Sequence, residues 1–148
     1  MKAKEEGTIL HNFASMAIER RIKLAPLKKS LNMFVNDAIG FGMDSEKVLY
    51  YSDNCFGTAD AIRFKDNVLR IHDLKTGATK VSFSQLDIYA AIFCLEYGVD
   101  PYEITIEERI YQSNTVLYSN PEPETIVNIM NTIIEFDMII EEMKQLTR

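Results

Sequence analysis

A chain of 148 residues, 47% of them hydrophobic and 26% charged, has the composition of one globular domain with room for a real core. No stretch of about 18 apolar residues exists, which excludes a membrane-spanning helix, and the opening "MKAKEEGTIL" has no apolar signal core, so a cytoplasmic location is expected. The net charge of −6 argues against tight non-specific binding to nucleic acid unless a local basic patch, bound cations or a partner offsets it.

In chain order, Thr8 can cap a helix from about Ile9 to Leu24, with Pro26 just beyond its end. "LKKSLNMFVNDAIGFGM" predicts a second helix that carries Lys28 and Lys29 on its surface. Strands are expected over 47–52 ("KVLYYS"), 56–64 ("FGTADAIRF") and 68–75 ("VLRIHDLK"), the last two joined by a hairpin turn at Asp66–Asn67. Ser84, with Asp87 three positions on, has the spacing of a capping signature, and that helix should end near Gly98 before Pro101. "ITIEERIYQ" alternates as a strand over 104–112, "TVLYS" can pair with it, and a long amphipathic helix follows to Leu146. This order predicts a mixed α/β (α+β) domain built on one central mixed sheet flanked by helices.

Cys55 and Cys94 lie far apart among apolar neighbours, without C-x-x-C spacing, which predicts two reduced structural thiols and no iron–sulfur cluster. The long helix carries an apolar stripe, Ile126, Ile129, Met130, Ile133, Ile134 and Ile140, suited to packing on the sheet or to a homo-oligomer face. Its acids Glu135, Asp137, Glu141 and Glu142 would keep DNA from that side.

Chemistry concentrates at the end of the third strand. Strand alternation puts Leu69, Ile71, Asp73 and Lys75 on one face and His72 on the other, so His72 points away from its neighbour Asp73. Asp60 interrupts a run of small and apolar residues, where a carboxylate is costly unless it is paired or holds a cation. The hairpin brings Asp60 level with a residue near Asp73. Two carboxylates and Lys75 then converge, a donor set that suits hard ions such as Mg²⁺ or Mn²⁺. Taken alone, the same residues also fit a solvated strand end leading into the Lys-Thr-Gly turn. That triplet has no S-x-x-K companion, and no phosphate-loop spacing occurs.

Gly57-x-x-Asp60, Asp73-x-Lys75 and Gln85-x-x-x-Tyr89, in that order, resemble the motif series of the PD-(D/E)XK nuclease superfamily in its RecB-like branch. "EEGTILHNFA" is similar to the G-x-x-x-H helix that opens such domains. The match spans roughly residues 5–112. The resemblance implies a restriction-endonuclease-like αβββαβ core and one or two Mg²⁺ or Mn²⁺ ions held by His11, Asp60, Asp73 and the backbone carbonyl of Leu74. It further implies that Lys75 orients or activates the attacking water, and that Gln85 and Tyr89 lie near the substrate backbone.

The implied activity is phosphodiester hydrolysis in DNA, as an exonuclease of phage or bacterial recombination, repair or replication, with many similarly worded relatives phage-encoded. Glu46 is a candidate extra acid, since some members of the superfamily have a glutamate in an earlier helix. Arg109, Tyr111 and Gln112 could meet a phosphate from the sheet edge, and fit a solvated strand equally well. The rival reading is a non-catalytic nucleic-acid-binding or assembly protein that keeps the fold. A protein partner supplying part of the DNA groove is also open.

Overall fold

The computed structural model describes residues 3–147. Five strands form one sheet in the order β1 (Asp44–Ser52), β2 (Cys55–Lys65), β3 (Val68–Leu74), β4 (Thr105–Gln112) and β5 (Thr115–Ser119). All neighbours run antiparallel except β3 and β4, which are parallel, as strands joined through a helix can be. Helices α1 (Ala3–Glu19) and α2 (Ser30–Gly40) cover one face, and α3 (Ser84–Tyr97) and α4 (Pro123–Leu146) the other. A mixed α/β domain with the α–βββ–α–β order is therefore present, with helices on both faces of a mixed sheet. No described helix is long and apolar enough to cross a membrane.

The turns follow their chemistry. Asp66 and Asn67 take φ of 51° and 60°, and Ser113 and Asn114 repeat those values between β4 and β5. Both are two-residue turns in the left-handed region, which Asn and Asp tolerate and which matches strand twist. Gly98, at φ 65°, closes α3 as expected.

β1 begins at Asp44, three residues before the expected start, and three helix boundaries also differ from the sequence expectation. Thr8 is not a cap: α1 starts at Ala3, and the Thr8 hydroxyl donates back to Lys4 O at 3.0 Å inside the helix. The helix also stops at Glu19, because Arg21 turns left-handed (φ 55°) while Ile22 N–H reaches Ala17 O and Arg21 N–H reaches Ile18 O. That pair of bonds is a Schellman close, built here on an arginine where glycine is usual. Lys28 and Lys29 consequently lie before α2, on a bend of the connecting segment rather than on a helix surface.

Ser84 does not cap α3 either. Ser82 Oγ accepts from Ser84 N–H at 3.2 Å, and Asp87 turns inward toward β4. There it meets Glu108, which is fully buried between Ile106 and Ile110 with neither carboxylate oxygen hydrogen-bonded to a donor. Burial first, and the Asp87 carboxyl second, push Glu108 up from 4.5 to about 9. The native chain thus keeps a proton that the unfolded chain releases, so stability falls as pH rises from 4.5 toward 9. Glu108→Gln should flatten that fall and gain on the order of 2 kcal/mol at about pH 8, read from urea unfolding at several pH values. An unchanged pH slope would show that the pair is not protonated.

On the α3/α4 side the core comprises Leu69, Ile71, Leu86, Ala90, Ile92, Ile106, Ile110 and Ile126. Of the α4 stripe, Ile126 is buried, and Ile129, Met130 and Ile133 pack on this core, whereas Ile140 is 38% exposed. Asp137 and Glu141 bind the β1–β2 turn through Ser52 and Asn54. Cys55 and Cys94 are free thiols.

Candidate active site

The site forms where β2 and β3 part. Their ladder runs from Lys65↔Val68 to Ala61↔His72, and the same register sets Asp60 level with Asp73. Beyond it, Leu74 N–H donates to Asp60 Oδ2 at 2.9 Å in place of a strand carbonyl. The facing pattern of β2 slips at the same point: Ala59 and Ile62 pack on the α3 side while Ala61 packs on the α1/α2 side. Lys75 N–H still bonds Tyr111 O on β4 at 2.9 Å, so the strand end is fixed from both flanks. One carboxylate is thereby held by backbone, and its neighbour is presented at the strand tip.

Asp73 is buried, and Lys75 Nζ stands 3.0 Å from its Oδ2. The two form a close ion pair at the strand tip. Burial and then the nearby Asp60 charge raise the Asp73 carboxyl from 3.8 to about 7, against the lowering pull of Lys75. Like carboxylates this close resist joint ionisation, and a cation relieves the conflict.

His11 arrives from α1. Its Nδ1 lies 2.8 Å from Gly7 O, and its Nε2 lies 2.7 Å from Leu74 O and 3.4 Å from Asp60 Oδ2. Carbonyl oxygens face both ring nitrogens, so both must donate, and the ring is an imidazolium. The Asp60 carboxylate foremost, then the Gly7 carbonyl, raise it from 6.5 to about 9 despite partial burial. Gly7 has a steric reason as well, because a Cβ there would sit 2.8 Å from Thr76 Oγ1. The glycine of G-x-x-x-H lets the Lys-Thr-Gly turn close on the helix that carries the histidine.

Lys75 Nζ also donates to Gln85 Oε1 at 3.4 Å, and Gln85 Nε2 donates to Tyr89 OH at 2.9 Å. Gln85 and Tyr89, one helical turn apart on α3, therefore form a chain leading to the lysine. Tyr89 lies over Gly57, where a Cβ would come within 2.7 Å of its ring. The sequence motif Gly57-x-x-Asp60 thus has a physical basis: the glycine seats the tyrosine and the strand then delivers the acid.

Glu46 lies beside this group, but on β1 and not on a helix. The register Ser45↔Ala61 and Lys47↔Ala59 sets it across from Asp60. Its φ of 51° is a strained value for a glutamate, and burial, followed by the Asp60 charge, raises its carboxyl. With His11, Asp60 and Thr76 it lines an open cleft of about 440 Å³.

Other candidates lie elsewhere. His72 is fully buried on the opposite face, against Tyr111 and Phe41, and burial lowers its pKa. Tyr111 OH donates to Asp37 at 2.6 Å, and Arg109 pairs with Glu107 and Asp37. Gln112 Nε2 holds the carbonyls of Gly77 and Thr79, bracing the loop after Lys75. These three residues are committed inside the protein, so a phosphate contact from them is not supported. Glu108 went unread as a buried acid, although the alternation Ile106, Glu108, Ile110 is the signal that would have marked it.

Among the described residues, no group of three or more His, Cys, Asp and Glu side chains is arranged to hold a metal ion. What converges is two side chains and a carbonyl, His11, Asp60 and Leu74 O, while Asp73 is engaged by Lys75. Carboxylate and carbonyl oxygens are the donor types that a hard divalent cation takes, whereas His11, with both ring nitrogens facing carbonyls, must give up a proton before it could ligate one.

No family model matches the chain, and no curated protein matches it. Among solved structures it is similar to one described as the crystal structure of SSO0001, at 12% identity and a TM-score of 0.43, over 88% of this chain and 61% of that one. The chain thus spans about three fifths of the length of the structure it matches.

Proposed function

We propose that the chain is a metal-dependent deoxyribonuclease of the PD-(D/E)XK, RecB-like kind, hydrolysing phosphodiester bonds. The observation that carries this reading is Asp60 and Asp73 level across a hairpin, with Lys75 paired to Asp73 and with His11 on Asp60, these last two lining an open cleft. His11, Asp60, Asp73 and the Leu74 carbonyl would hold Mg²⁺ or Mn²⁺. Such an ion, when bound, polarises the phosphodiester and lowers the pKa of water.

The chain's own groups do the rest. Lys75, positioned by Asp73 and Gln85, presents an ammonium to the attacking water and to the negative charge that builds on phosphate. Tyr89 and Gln85 brace that lysine from α3 and face the path of the strand. Asp60, fixed by Leu74 N–H, keeps its orientation without reorganisation during the reaction.

Calorimetric titration with Mn²⁺ tests the reading. The wild-type chain should bind, and Asp60→Ala should weaken binding by about a hundredfold or more, beyond what loss of a ligand's supporting partner costs. No heat from the wild type, and no change on mutation, would favour the non-catalytic rival.

A further inference from the structure

Residues 20–29, "RRIKLAPLKK", hold five of the chain's sixteen basic residues and none of its twenty-two acidic ones, and no acid follows before Asp37. None of Arg20, Arg21, Lys23, Lys28 and Lys29 is ion-paired to a carboxylate among the described residues. All five are exposed. In a chain of net charge −6 this is a concentrated and uncompensated positive strip.

The strip is also rigidly mounted. Asn36 on α2 takes Leu24 N–H at 2.8 Å and returns a bond to Leu24 O at 3.0 Å, as a strand partner would. Asn32 Nδ2 bonds Ala25 O at 2.9 Å, and Arg21 Nη1 bonds Met43 O at 3.0 Å. Backbone ordering is thus completed before any ligand arrives, which lowers the entropic cost of binding. At its far end Lys29 lines a cavity of about 330 Å³ together with Leu74, Lys75, Thr76 and Asn114. The positive strip therefore opens directly onto the strand end that carries the site.

We propose that residues 20–29 form the track for the phosphate backbone of the DNA substrate, leading it past Lys29 to Lys75. This rests on the nuclease reading for its choice of polyanion. Five cations carried on an anchored backbone beside an acidic body offer one path for a negatively charged chain and repel it elsewhere. The exposed Ile22 and Leu27 between them are too few to form an insertion face for a membrane.

The test is the double variant Lys23→Gln/Lys28→Gln, which alters neither the site nor a hydrogen bond. Binding of a fluorescent duplex oligonucleotide is measured across a salt series in Ca²⁺, alongside Mn²⁺-dependent hydrolysis of bis(p-nitrophenyl) phosphate. The slope of log affinity against log salt should fall by about two, with affinity down about tenfold per lysine at about 0.1 M salt. Turnover of the small diester should be unchanged. An unchanged slope, no DNA binding by the wild type, or loss instead of binding to phosphatidylglycerol vesicles would each overturn the track. Absence of diester and DNA hydrolysis in the wild type would overturn the nuclease reading separately, since the salt slope is read without turnover.

Discussion

Asp73→Ala and Lys75→Ala are each expected to abolish Mg²⁺- or Mn²⁺-dependent DNA cleavage, a loss of about a thousandfold or more, with the fold intact. The two side chains form one unit, with Nζ 3.0 Å from Oδ2, so the double variant should lose little more than either single one. Their stability effects differ from their catalytic ones. Asp73 is raised from 3.8 to about 7, so the native chain holds its proton longer than the unfolded chain. Stability therefore falls as pH climbs from 3.8 through 7, and Asp73 opposes folding at neutral pH. Asp73→Asn should melt higher than the wild type in the absence of metal at about pH 8 while being inactive. A variant that is active, or one that is inactive only because it is unfolded by circular dichroism, would remove Asp73 from the proposed machinery.

The second large effect belongs to His11. In the metal-free chain its imidazolium bridges Gly7 O, Leu74 O and Asp60, and its pKa is raised from 6.5 to about 9. A raised histidine stabilises the fold fully below 6.5, and that contribution is lost as pH rises through 9. His11→Ala should thus cost about 1–2 kcal/mol at neutral pH, discounted for its partial exposure, and nearly nothing above about pH 9.5. A cation at Asp60 must displace that proton, so wild-type Mn²⁺ affinity should rise about tenfold per pH unit between roughly 7 and 8. Denaturant melts and calorimetry in buffers of different ionisation enthalpy read both effects. A pH-independent His11→Ala penalty would mean that the ring packs as a neutral group.

Much of this architecture could be read from local chemistry. Asp66–Asn67 announces its hairpin, Gly98 its helix end, and period-two alternation separates His72 from Asp73. The convergence of Asp60, Asp73 and Lys75 was legible because a strand that ends on carboxylate and lysine, opposite a second acid, departs from ordinary core patterning. What local pattern did not carry was decided by distant partners. Thr8 has the chemistry of a cap, but α1 is extended N-terminally past it, and its hydroxyl is satisfied within the helix. Lys28 and Lys29 carry good helix propensity, yet Asn32 and Asn36 bind the backbone at Leu24 and Ala25 ahead of them and hold it out of the helix. Asp87 forgoes the α3 terminus because Glu108, remote in sequence, stands beneath it. Glu46 reached the site through a left-handed residue in an edge strand, a conformation that no propensity favours.

The proposed role of His11, Asp60, Asp73 and Lys75 in a metal-dependent phosphodiesterase of DNA is tested by incubating end-labelled linear and closed circular DNA with the wild-type chain, in Mn²⁺ and in EDTA. Cleavage of linear DNA is expected that requires Mn²⁺ and disappears in Lys75→Ala. Intact DNA in Mn²⁺, or cleavage that survives both EDTA and Lys75→Ala, would contradict it.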